Sequence, residues 1–320
     1  MFLIGWGMQI VIQIPTLYRI GYHYHLYISW DDMMNKVIKL VLPAMLSTWV
    51  QPINQIVCTK FASDLYEGGG VSALNYANNI YIVIVGVLVS SVANVIFPDL
   101  SRLSARKNEL DFIEMVNSTI KSLSFILIPM MVGLFIMCRP IVQLIYGSNI
   151  MVTDITSITL RYFSVGMFGF GLQMILNRVY FAKQLGLFPL ISGVVAIIIN
   201  FILCKMLVKN YGIMGLSISS SVSVTIAGLI LGIGVKKMDS RFLVKNDFKQ
   251  FLRITVATFF MAIIVILIRN SLINILSNNL SNNIILLAIP TIVGFIVYMG
   301  LSYIMGIEEI KILILYLKRK

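Results

Sequence analysis

Residues 73–102 read ALNYANNIYIVIVGVLVSSVANVIFPDLSR. The stretch opens on three carboxamides, Asn75, Asn78 and Asn79, runs apolar for nearly twenty residues, and carries a fourth amide, Asn94. That length of apolar chain is what a helix needs to cross a bilayer. Each amide then needs a partner, because one left unpaired in hydrocarbon costs about 4–8 kcal/mol.

The rest of the 320-residue chain is of the same kind, with 58% hydrophobic residues, 12% charged residues and a mean hydropathy of +0.92. A soluble domain carries about twice that charge, so the chain belongs to the membrane class. The formal net charge of +12 does not point to nucleic acid. Its lysines and arginines sit in short loops between apolar runs, where they set topology and meet anionic headgroups. Cys58, Cys138 and Cys204 lie in or beside apolar runs without metal-ligand spacing and read as packing residues. His23 and His25 have only Asp31 and Asp32 near them in sequence, too few for a metal site. No nucleotide, hydrolase or redox motif is present, so the chain is read as a non-enzyme without a cofactor.

Nine apolar segments fit the length of a spanning helix, at about 1–17, 37–62, 72–97, 119–138, 155–182, 187–208, 212–235, 251–268 and 284–305. Helices are required because lipid offers no partner to an open strand edge. One set of connections, with the tail, holds eighteen Lys and Arg and the other holds five (Lys60, Arg139, Lys205, Lys209 and Arg269). The richer side is expected to be cytoplasmic, which places the N-terminus outside and the C-terminus inside. The first helix would then enter from outside with no leading charge. Either the chain is the C-terminal part of a longer transporter, or the first helix is miscounted. The tail ending in Lys318, Arg319 and Lys320 reads as an interfacial helix or as a continuation of the last span.

At about 100° per residue, Ser47, Gln51, Asn54, Gln55 and Cys58 share one face of the second segment. Asn75, Asn78, Asn79, Gly86, Ser90 and Asn94 share a broader face of the third. The fifth carries Gly166, Gly169, Gln173 and Asn177 on one side, with Arg161 and Arg178 elsewhere, and the seventh is serine-rich. Two readings compete. The stripes are either helix–helix glue, at about 0.6 kcal/mol per hydrogen bond, or the wall of a water-filled cavity offering donors to a polar substrate. Long amides over several turns favour the cavity for the second and third segments, and the serine run favours glue. Pro43, Pro52 and Pro129 are expected to interrupt their helices.

With these stripes placed, VSALNYANNIYIVIVGVLVSSVANVIFPDLSRLSARKNE (71–109) resembles the corresponding region of the MurJ/MviN-type lipid II flippases. LVLPAMLSTWVQPINQIVCTKFAS (40–63) resembles that family's seventh helix, and residues 126–149 and 177–223 resemble its ninth to twelfth. The resemblance implies an all-α polytopic membrane protein. Its nine or so helices would be the family's sixth helix (1–36), its six-helix C-terminal lobe (37–235) and its last two helices with a basic tail (236–320), out of fourteen.

The implied function is movement of lipid II, or another polyprenyl-diphosphate glycolipid, across the bacterial inner membrane for cell-wall synthesis. It would proceed by alternating access, driven by an ion gradient or the membrane potential. Membrane lipids and the missing N-terminal lobe are the other implied partners. Where the family has Ser-x-x-x-Tyr-Ala-Asp-Arg, this chain has Ser72, Tyr76, Ala77, Asn78 and Asn79, an uncharged version of a headgroup-contacting corner. The expected substrate-cavity set is Gln51, Asn54, Gln55, Ser72, Asn75, Asn78, Asn79, Ser90, Asn94 and Arg161. Alternatives are an O-antigen-type exporter, a multidrug antiporter, and a truncated half that does not transport alone.

Overall fold

The computed structural model describes residues 2–21, 31–66, 69–147, 150–242, 245–275 and 280–311. His23, His25 and the tail from residue 312 lie outside them. The chain forms two compact units, Met1–Val41 and Leu42–Lys320, with the boundary inside one helix.

The first unit holds α1 (Phe2–Arg19) and the start of α2 (Asp32–Thr48). Asp31 caps α2 by accepting from the Met34 N–H at 2.8 Å.

The second unit carries the rest of α2, then α3 (Val50–Ala62), α4 (Gly69–Tyr81), a π-helical turn at Ile82–Gly86 and α5 (Val87–Ala105). It continues with α6 (Glu109–Tyr146), α7 (Ile150–Val165), α8 (Met167–Ala182), α9 (Leu187–Met238), α10 (Lys245–Ile275) and α11 (Leu280–Ile304). Among the described residues, five helical stretches are long and apolar enough to cross a membrane: Gly69–Ala105, Glu109–Tyr146, Leu187–Met238, Lys249–Ile273 and Asn283–Ile304.

The segment at 37–62, expected to be interrupted by its prolines, and the one at 155–182, read as continuous, are each two helices. The first breaks at Trp49, three residues before Pro52. The Pro52 ring removes the N–H that would bond the Thr48 carbonyl and crowds that carbonyl. The second breaks at Gly166, where a Cβ would lie 2.8 Å from the Ser221 backbone; the close approach of α9 requires a glycine there. Pro43 and Pro129 lie inside α2 and α6 without ending them.

The 52-residue α9 is a hairpin rather than a rod. Gly212 has φ 54° and ψ −133°, outside the helical region, a backbone conformation that glycine adopts without steric cost. Cys58 Sγ lies 3.9 Å from Cys204 Sγ and 3.1 Å from Ser220 Oγ. Those two residues would be about 24 Å apart along a straight helix, so the two limbs of α9 run back beside each other.

Three apolar clusters hold the second unit. The largest joins α3 to α9 around Leu74, Val85, Leu127, Leu160, Met167 and Leu216. A second ties Leu100, Phe112, Val179, Tyr180, Leu231 and Phe242 together at the end of the bundle where α9 finishes. The third seats α10 and α11 on α6 through Phe125, Met137, Ala257, Met261 and Tyr298. Just beyond α9, Asp239 accepts from the Arg241 guanidinium at 2.6 Å. That charge-assisted pair lowers the Asp239 carboxyl to about 2.

Candidate functional site

A cavity of about 60 Å³ opens among α3, α4, α7, α8 and α9. That is room for a few water molecules. Its polar lining is Gln51, Asn54 and Gln55 from α3, Asn78 from α4, Gln173 from α8, and Ser220, Ser221 and Ser223 from the second limb of α9. Tyr81, Phe163 and Phe170 supply the apolar wall, with the Phe163 ring tilted against Tyr81 and the Phe170 ring edge-on to it, at centroid distances of 6.0 and 5.9 Å.

Side chains answering one another across helices set this lining. Gln55 Nε2 donates to Asn75 Oδ1 at 3.3 Å, joining α3 to α4. Asn200, fully buried on the first limb of α9, donates to Asn54 Oδ1 at 3.1 Å. Asn54 and Gln55 on α3 and Asn75 on α4 are thereby bonded, while Gln51 and Asn78, one turn away, face the cavity.

The expected site residues divide as follows. Gln51, Asn54, Gln55 and Asn78 line the cavity together. Asn75 is exposed beside it through Gln55, and Ser72 and Asn79 are exposed on α4. Ser90 bonds its own helix at Val87 O, 3.1 Å away. Asn94 accepts from Arg178 Nη2 at 3.1 Å, and that guanidinium lies 5.4 Å over the Phe97 ring. Arg161 turns toward α6, its Nε donating to Cys138 Sγ at 3.4 Å and its guanidinium 5.7 Å over Phe135.

The π-helical turn separates Asn75–Asn79 from Ser90 and Asn94. An inserted residue re-phases everything after it by about one helical step, so a stripe computed on an unbroken helix does not stay on one face. Asn200 escaped the sequence reading altogether. Its signal was a lone amide inside the apolar run 190–204, which asks for a partner as strongly as the clustered ones do. The serines read as packing reach the cavity as well: Ser221 donates to Tyr162 O at 2.6 Å and also lines the wall. Among the described residues no His, Cys, Asp and Glu group is placed to hold a metal ion.

The family model described as "Lipid II flippase MurJ" matches residues 1–288. The chain belongs to the lipid II flippase MurJ family. It is 26% identical over 242 residues to the probable lipid II flippase MurJ of Treponema pallidum, covering 73% of this chain and 46% of that protein. To the Haemophilus influenzae relative it is 27% identical over 246 residues, covering 74% and 48%. A solved MurJ structure in an inward closed conformation superposes with a TM-score of 0.69 at 27% identity, over 89% of this chain and 57% of that one. A Vibrio cholerae MATE transporter shares the fold, with a TM-score of 0.62 at 17% identity. The chain thus spans about half the length of the curated relatives it matches. As a member of the MurJ family it is a multi-pass, all-helical membrane protein.

Proposed function

We propose that this chain supplies the C-terminal lobe and the last two helices of a flippase that carries lipid II from the inner to the outer leaflet of the bacterial inner membrane. The observation that carries this reading is the family match across residues 1–288. The amide-lined cavity supports it physically. Carboxamides and hydroxyls give a diphosphate–sugar headgroup donors without fixing it by charge, as release on the far side requires. In this reading Gln51, Asn54, Gln55 and Asn78 form the wall, and Ser72, Asn75 and Asn79 its rim. A second lobe, with most of the phosphate-binding charge, closes the cavity as the two rock against each other.

The test is complementation. A strain depleted of its own lipid II flippase is expected to die when it expresses these 320 residues alone. It is expected to survive when they follow an N-terminal lobe of the family in one chain. Rescue by the 320 residues alone would overturn the two-lobe mechanism.

A further inference from the structure

Three arginines gather where α6 packs against α7 and α10, away from the amide-lined cavity. Arg139 lies two turns before the end of α6, Arg161 three turns after the start of α7, and Arg269 less than two turns before Ile275 ends α10. They sit about 9–16 Å along their helices from that end of the bundle, at 1.5 Å per residue, and Arg139 and Arg269 follow directly on the apolar segments 119–138 and 251–268, where a chain meets lipid headgroups.

Their partners do not balance them. Arg139 pairs with Asp154 at 2.9 Å. The hydrogen bond of Arg161 goes to the Cys138 sulfur at 3.4 Å, a weak acceptor. Arg269 Nε is buried with no partner among the described residues, and the ionisable groups near its guanidinium are the Cys138 thiol, Arg161 and Arg139. Among the described residues, the one ion pair in this group is that of Arg139 with Asp154. Like charges gathered between helices beside apolar surface, at the level of the headgroups, mark a place where an anionic headgroup binds.

From this cluster we infer a phosphate-binding site for a membrane lipid, with Arg161 and Arg269 holding the phosphate and Arg139 completing its rim. Guanidinium forks match phosphate oxygens two at a time. The surface beside the cluster suits acyl chains. Phe135 under Arg161, Ile158 one turn before Arg161 and Ile266 one turn before Arg269 are 37%, 39% and 41% exposed. Residues three apart share a helix face, so an apolar strip adjoins the cationic pair. In the orientation proposed above this is outer-leaflet depth, although lipid binding there needs neither that orientation nor the flippase reading.

The experiment is a titration of the purified 320-residue chain in a non-ionic detergent, read as a shift in thermal unfolding. Short-chain phosphatidylglycerol, diacylglycerol of the same chain length and inorganic phosphate are compared. Phosphatidylglycerol is expected to stabilise the chain, and Arg161→Gln and Arg269→Gln each to weaken its midpoint roughly tenfold, as loss of a charge-assisted contact does. Diacylglycerol and phosphate at the same concentration are expected to do little. Unchanged midpoints in both variants, or diacylglycerol binding as tightly, would overturn the site. Inorganic phosphate binding with the same midpoint would reassign it to a soluble anion and overturn the lipid. Photoreactive phosphatidylglycerol on the unmodified chain guards against a variant that fails to fold. Its cross-links should fall on the peptides of Phe135, Arg161 and Arg269, and an even spread over all helices would count against the proposal.

Discussion

Pro129 sits in the middle of α6, where it can donate no hydrogen bond to the carbonyl four residues earlier. That carbonyl belongs to Phe125, and the Tyr298 hydroxyl of α11 donates to it at 2.7 Å. The helix runs on because a distant residue supplies the missing donor. An unsatisfied buried carbonyl costs about 1–3 kcal/mol, so Tyr298→Phe should lower unfolding stability in detergent by that order. Pro129→Ala restores a local N–H for Phe125, and in its presence Tyr298→Phe should cost about 1 kcal/mol less. Additive effects in this double-mutant cycle would show that the hydroxyl does not stand in for the proline's missing donor. The same rule explains Asn54 and Asn200: each is intolerable alone in hydrocarbon and unremarkable as a pair 3.1 Å apart.

At the scale of elements, the α8–α9 contact shows what holds helices together where lipid is as apolar as their side chains. Close packing of small residues does the work. A Cβ on Gly169 would lie 2.5 Å from Thr225 Cα, and one on Gly228 would lie 2.9 Å from Gly169 O. Backbone rather than a flexible side-chain end is in the way, so Gly169→Ala should destabilise by about 1–3 kcal/mol. Gly133 in α6 has nothing within 4 Å of such a Cβ. Gly133→Ala should therefore be neutral or stabilising by up to about 1 kcal/mol, through helix propensity. Chemical denaturation of the two variants side by side checks both. The π-helical turn between α4 and α5 belongs to this scale as well. It lets the amide corner face the cavity on one side and Asn94 meet Arg178 on the other, 3.1 Å away.

For the whole molecule, the eighteen-to-five division of Lys and Arg makes orientation testable. A cysteine at Ser240, just after α9, should resist a membrane-impermeant thiol reagent in intact cells, whereas one at Ser63, after α3, should react. The native thiols are all buried and give little background. In the same assay, with a small permeant water-soluble reagent, cysteines at Gln51, Asn54 and Asn78 should react. One at Val83, 67% exposed on the bundle's outer surface, should be shielded by lipid. Labelling of Ser240 from outside would reverse the orientation. Equal protection of Gln51 and Val83 would favour packing over a cavity.

The class of the protein, the helical character of its segments and the amide face of the second segment were legible in the residues alone. Apolar run length, loop charge and the cost of an unpaired amide are local quantities, and each can be read without knowing what the segment touches. The sequence also marked the break at Pro52 and the separation of 187–208 from 212–235 at which Gly212 turns the chain, but not the break at Gly166. Tertiary structure alone decided that Pro129 is rescued by Tyr298, that Asn54 is answered by Asn200 146 residues away, and that the π turn re-phases Ser90 and Asn94. It also decided that Arg161 faces α6. In each case the outcome depends on which donor, acceptor or backbone a second helix brings within about 3 Å, and no periodicity along one helix encodes that.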